Sequence, residues 1–200
     1  ARGAVLAAGP RPGDRVLDVC AAPGGKSFAA AMAMEDRGEV IACDIHPHKL
    51  ALIEKGAARL GLGCVRTELA DGRERREAWA GAFDLVLCDV PCSGLGVIRK
   101  KPDIRYKDPA ALAGLPRVQR AILENAAAYV RPGGALLYAT CTVLPEENED
   151  VAEDFLTRHG EFQKEPFSLP GLEEENDGAM RLWPQRHGTD GFYVCKMRKR

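Results

Sequence analysis

Two hundred residues suffice for one α/β domain with a buried core. At 46% hydrophobic and 28% charged the composition excludes a disordered chain, and no apolar run approaches the ~20 residues of a membrane span. A net charge of −1 excludes a globally basic nucleic-acid coat, leaving two locally basic stretches, "RKKPDIRYK" (residues 99–107) and the closing "KMRKR".

Taken in chain order, "ARGAVLAAGPRPGDRV" reads as an apolar helix cut short, with no initiator methionine and no signal peptide. It predicts an excised domain that covers residues 1–200 and lacks sequence ahead of it. "RVLDVC" is the first predicted strand; it runs into "AAPGGKS" and a helical "FAAAMAM". "EVIACD", "CVRTEL", "FDLVLCD" and "ALLYATC" follow as nearly continuous apolar runs, expected of strands buried on both faces of a parallel sheet. Between them, Leu50, Ile53, Ala57 and Leu60 recur at helical spacing, as do Val118, Ile122 and Leu123 before the Pro132-Gly133-Gly134 breaker. Residues 162–189, punctuated by Pro and Gly and carrying "LEEEND", read as a solvated loop. "GFYVCKM" closes the chain as an antiparallel strand at one edge. The alternation predicts a doubly wound α/β sheet.

The loop after the first strand is the predicted cofactor site, because ligands of such sheets sit beyond the carboxyl ends of the strands. Gly24 and Gly25 admit close backbone approach, and a helix N-terminus follows. A Walker A loop would need glycine where Cys20 stands, and Asp18 would repel phosphates. A dinucleotide loop would need G-x-G-x-x-G, which is absent. Asp44, ending the second strand, suits ribose hydroxyls, and Asp71 in "LADGRE" suits an adenine edge. Either alone is equally a helix-capping carboxylate. With the glycine loop they favour a cationic, phosphate-free nucleoside, S-adenosylmethionine.

Seven cysteines, scattered and with only Cys88 and Cys92 close, carry neither a disulfide framework nor zinc-ligand spacing; they read as reduced thiols of a cytoplasmic protein with no metal. Cys20, Cys43, Cys88 and Cys195 fall in apolar strands as packing residues, and Cys64 reads as structural. Cys92 and Cys141 stand instead at two strand ends, where chemistry above a sheet is done. His46, His48, His159 and His187 show no ligand spacing.

Four stretches, "LDVCAAPGGKS", "CDIHPHKL", "LCDVPCSGLGVIRKKPDIRYK" and "YATCTVLPEENE", closely resemble the Sun/Fmu family of S-adenosylmethionine-dependent RNA (cytosine-5) methyltransferases, in order over residues 16–155. The resemblance implies a class I methyltransferase (Rossmann-like) fold, seven mostly parallel strands with the last antiparallel. It implies that Cys141 adds to carbon 6 of cytosine, so that carbon 5 can take the methyl group. Cys92 then assists breakdown of the adduct, Asp89 hydrogen-bonds the base, and Lys26 helps polarise the site. Cofactor contacts carry over to Cys20, Ala21, Ala22, Pro23, Gly24, Gly25, Lys26, Asp44, Asp71 and Asp89. Glu147, Asn148 and Glu149 brace the Cys141 loop. Arg99, Lys100, Lys101, Arg105 and Tyr106 become RNA contacts, with Tyr106 standing where the family often has tryptophan and keeping an aromatic face. Val90 replaces a usual alanine. Family members carry RNA-binding sequence ahead of this domain, which puts substrate recognition by these 200 residues alone in question. The implied substrate is RNA, ribosomal first and transfer RNA second. A DNA cytosine-5 methyltransferase, whose nucleophile is the Pro-Cys thiol, and a catalytically silent RNA-binding scaffold are the rival readings.

Overall fold

Apolar runs that cannot be solvated on either side become the centre of one sheet. The computed structural model describes residues 2–172 and 174–200. A short helix α1 (Arg2–Ala8) precedes strand β1 (Arg15–Asp18), helix α2 (Gly25–Ala33), β2 (Glu39–Asp44), α3 (Pro47–Leu60), β3 (Val65–Leu69) and β4 (Phe83–Asp89). The single turn α4 (Pro109–Leu112), helix α5 (Leu115–Tyr129), β5 (Val130–Thr140) and α6 (Glu149–Arg158) follow. The chain closes with β6 (Phe162–Lys164), β7 (Ala179–Leu182), the turn α7 (Pro184–His187) and β8 (Phe192–Lys199).

The strand order is β3-β2-β1-β4-β5-β8-β6, with β7 also paired to β8. The first five strands are parallel, and β8 runs antiparallel to β5, β6 and β7. Strand alternation sends Leu17, Val86, Leu136 and Tyr138 to the face covered by α5 and α6, where Leu123 and Phe155 bury. Val16, Leu85 and Leu137 go to the other face, against Val5 of α1, Ala30 of α2 and Met34, which caps α2. Chain direction across the sheet reverses between β1 and β4, and the loops after β1, β2, β3, β4 and β5 open at that one end.

Four expectations are corrected. The sheet has eight strands, because β6 and β7 form inside the stretch read as a solvated loop, each completing its hydrogen bonds on β8. For the same reason β8 is interior, not an edge. The strand read from "CVRTEL" is not buried on both faces: β3 is the sheet edge and is largely exposed. Leu60 likewise stands exposed at the last position of α3, where Gly61 in the left-handed region ends the helix.

Candidate active site

The loop after β1 shapes one wall of a cleft of about 640 Å³ at the switch point. Cys20, Ala22 and Lys26 line it, together with Asp44, Asp71, Asp89, Cys92 and Cys141. Ala21 does not; it is buried with Ala42, Leu50 and Ile53. Pro23, Gly24 and Gly25 are set back from the cleft wall. Gly24, at φ 101°, caps α2, a left-handed conformation that favours glycine, and a Cβ there would come within 2.5 Å of the Phe28 ring. Ile45, Val118, Ile122 and Phe192 supply apolar walls that motif reading missed. Asp18 is not at the rim at all. It is fully buried under the loop, accepts from the Ser27 hydroxyl at 2.7 Å, and burial pushes its carboxyl up to about 6.

The charges of the cleft decide what it can hold. Asp44 accepts the His46 amide at 2.9 Å and lies 3.8 Å from Lys49. Asp71 is forked by Arg73 at 2.6 Å, whose hydrogen bonds hold its carboxyl below the usual range, so an adenine edge would meet a carboxylate already engaged. Lys26, itself buried, pairs with Asp89. Each of these three cations lining the cleft therefore has a carboxylate partner. No surplus positive charge stands ready for a pyrophosphate, and the donor set fits a phosphate-free nucleoside with a positive centre.

Because β4 and β5 are parallel neighbours, with Asp89 opposite Ala139, their ends deliver Cys92 and Cys141 to one place. The two Sγ atoms are 3.1 Å apart, and the Cys141 amide donates to Cys92 Sγ at 3.3 Å. The hydrogen bond from Cys92 lowers the Cys141 thiol below its ordinary range; burial and Asp89 oppose this and Lys26 reinforces it. The Cys92 thiol is pushed up, by that same hydrogen bond and then by burial. Cys43, Cys88 and Cys195 are buried in the strands, as read from the sequence, and Cys20 is half-buried at the cleft wall.

The segment after Cys141 braces more than its own loop. Asn148 hydrogen-bonds the Thr140 hydroxyl and, at 3.2 Å, the Thr142 carbonyl, and Glu149 pairs with Arg181, which also donates to the Val143 carbonyl. Glu147, however, reaches across to the other thiol's loop, accepting the Ser93 amide at 2.9 Å.

The basic segment does not line the cleft; it follows the 3-10 turn Leu95–Val97 and contains a second, Pro102–Tyr106. Lys100 pairs with Asp190 at 2.6 Å and Arg99 lies 3.8 Å from the same carboxylate. Lys101 is exposed, and Arg105 sits 4.8 Å over the ring of Tyr106, which is 74% exposed. The basic tail is different: Lys196 and Arg198 pair with Glu165, at the end of the sheet away from the thiols.

Residues 5–198 match the family model for the 16S rRNA methyltransferase RsmB/F. The chain belongs to that family. It is 42% identical over 198 residues to a probable ribosomal RNA small subunit methyltransferase B of Bacillus subtilis (strain 168), covering 96% of this chain and 44% of the relative. This RsmB/F domain thus spans under half the length of that curated relative. Among solved structures, PH0851 superposes with a TM-score of 0.93 at 36% identity, over 99% of this chain and 45% of that one. NSun6 from Pyrococcus horikoshii, solved with SFG, superposes at 0.86 and 32% identity, over 99% and 51%. The family is S-adenosylmethionine-dependent, in keeping with the paired charges of the cleft. Among the described residues no helix is long and apolar enough to cross a membrane, and no cluster of three or more His, Cys, Asp and Glu could hold a metal ion.

Proposed function

We propose that this chain is the catalytic domain of an RNA (cytosine-5) methyltransferase, acting on ribosomal RNA through a covalent cysteine adduct. The observation that carries the reading is the pair of thiols 3.1 Å apart on the wall that also bears Lys26, Asp44 and Asp89. S-adenosylmethionine would be held by Asp44 and the Cys20–Ala22 side of the loop, and supplies an electrophilic methyl group. Cys141, the thiol lowered by its surroundings, adds to carbon 6 of an extruded cytidine and makes carbon 5 nucleophilic. Asp89, held by Lys26, is placed to hydrogen-bond the base as charge develops on it. After methyl transfer the proton on carbon 5 is removed and the carbon 6–sulfur bond breaks; Cys92, beside Cys141, assists that elimination. Ribosomal RNA is favoured over other RNAs by the names of the relatives.

The reverse assignment, with Cys92 attacking as in DNA cytosine-5 methyltransferases, has two backbone contacts in its favour, those of Cys141 and Gly94 with the Cys92 thiol. The Cys141 amide points at Cys92 Sγ and favours charge there. Against it stands the net direction of the two thiols, Cys141 down and Cys92 up. Labelled RNA on a denaturing gel separates the two. Cys141→Ala should abolish methylation and leave no adduct, whereas Cys92→Ala should accumulate protein-linked RNA that disappears in the double variant. An adduct formed by Cys141→Ala would reverse the roles.

A further inference from the structure

Glu147 is a carboxylate in the wrong place for one. It is 2% exposed and its hydrogen-bond donors, the Ser93 amide and the Gln119 side-chain amide, are both neutral. Its Oε1 has no hydrogen-bond partner. A buried carboxyl group with an unpaired oxygen is a cost to stability, which draws attention to what it holds. What it holds is specific. Ser93 follows Cys92 directly, and Gln119 of α5, fully buried, donates at 3.0 Å to the carbonyl of Pro91, which precedes Cys92 directly. Its second amide hydrogen goes to Glu147 Oε2 at 2.7 Å. Both partners are acceptors, so the NH2 end of Gln119 must face them. Cys92 is thereby gripped on both sides: its preceding carbonyl by Gln119, its following amide by Glu147, and the two grips joined to each other. Glu147 itself is anchored to the Cys141 strand, where Tyr138 donates to its carbonyl at 2.6 Å.

We propose that Gln119 and Glu147 are positioning residues that fix the Cys92 thiol against Cys141, so that Cys92 is in reach when the adduct must be released. The pair touches neither thiol and acts through the backbone on either side of Cys92. This rests on the adduct mechanism proposed above, and it makes a distinctive demand. Loosening the clamp should harm release more than attack, since Cys141 directly follows β5, which is paired on both sides, whereas Cys92 stands three residues beyond the end of β4.

The test uses the full protein and labelled RNA, with Gln119→Leu and the one-methylene-shorter Gln119→Asn. Both should accumulate protein-linked RNA and lose steady-state turnover by roughly 10- to 100-fold, the cost of small misplacement at a reacting centre. The KM for S-adenosylmethionine should stay close to wild type, and the first round of methyl transfer should slow less than release, through the weakened hydrogen bond from Cys92 that lowers the Cys141 thiol. Glu147→Gln keeps an acceptor for the Ser93 amide and should restore most of the release that Glu147→Leu loses. A general loss of folding would lower attack, cofactor binding and melting temperature together and leave no adduct. If a folded Gln119→Leu or Gln119→Asn protein turns over normally, or slows without accumulating adduct, the clamp is refuted. If wild type and Cys92→Ala yield neither 5-methylcytidine nor adduct, the mechanism itself has failed instead.

Discussion

Asp18 shows how one side chain couples the cofactor loop to pH. Full burial outweighs the Ser27 hydrogen bond and the charge of Lys26, so its carboxyl holds a proton up to about pH 6 in the fold, against 3.8 when free. Between those values the folded state binds the proton that the unfolded chain has lost. The stabilising contribution is therefore fully present below the unfolded value and is lost as pH rises through about 6, by up to ~3 kcal/mol. Asp18→Asn keeps an acceptor for the Ser27 hydroxyl and removes the titration. Its melting temperature should fall less than that of wild type between about pH 4 and 6 in the same buffers. Parallel melting curves would show that Asp18 does not titrate there. Nothing in "LDVC" announces this burial; from sequence the same carboxylate was expected to repel phosphates at the loop. The thiols were legible for the opposite reason. Cys92 and Cys141 end apolar strands, and a residue that ends a parallel strand faces the open end of the sheet whatever packs elsewhere. Gln119 was illegible because its partners, Pro91 and Glu147, are 28 residues away on either side.

At the scale of elements, the site is closed by contacts between segments that no local pattern links. Gly96, beyond the Cys92 loop, donates its amide to the Cys141 carbonyl at 3.0 Å and accepts from the amide of Gly191, just ahead of β8, at 2.8 Å. A Cβ on Gly96 would lie 2.1 Å from the Gly191 carbonyl oxygen and 2.8 Å from that of Cys141. Both obstacles are backbone and cannot swing aside. Gly96→Ala should cost about 1–3 kcal/mol, the usual range for overpacking, and should also reduce methyl transfer because it pushes on the Cys141 turn. Denaturant melts read the first effect and single-turnover assays the second; an unchanged melt would mean that the three segments separate at no cost. The same reliance on β8 explains why β6 and β7 were invisible in the sequence. They are three and four residues long, flanked by Pro and Gly, and exist as strands only because β8 offers its free edge. Longer elements with their own periodicity, β4 and α5 above all, could be placed from sequence because packing and local pattern agree there.

For the whole molecule, the proposed function raises the question of how a chain of net charge −1 would engage a polyanion. The tail lies at the end of the sheet away from the thiols, with Lys196 and Arg198 held by Glu165 and Lys199 and Arg200 on neutral acceptors. What is left is the segment 99–107, and there Asp190 already shares Lys100 and Arg99. Lys101 makes no ion pair among the described residues, and Arg105 with Tyr106 offers an exposed cation on an aromatic face. Each phosphate neutralised contributes about −0.7 to −0.9 to the slope of log affinity against log salt. Lys101→Ala should remove about one such increment. Lys100→Ala should remove less, because that lysine must first give up Asp190. Asp190→Asn should do the reverse, freeing Lys100 and Arg99, tightening RNA and steepening the slope. Filter binding of the full protein across a salt series distinguishes these outcomes. If all three variants share the wild-type slope, the segment touches no phosphate, and the RNA is held by surfaces other than the one beside Cys92.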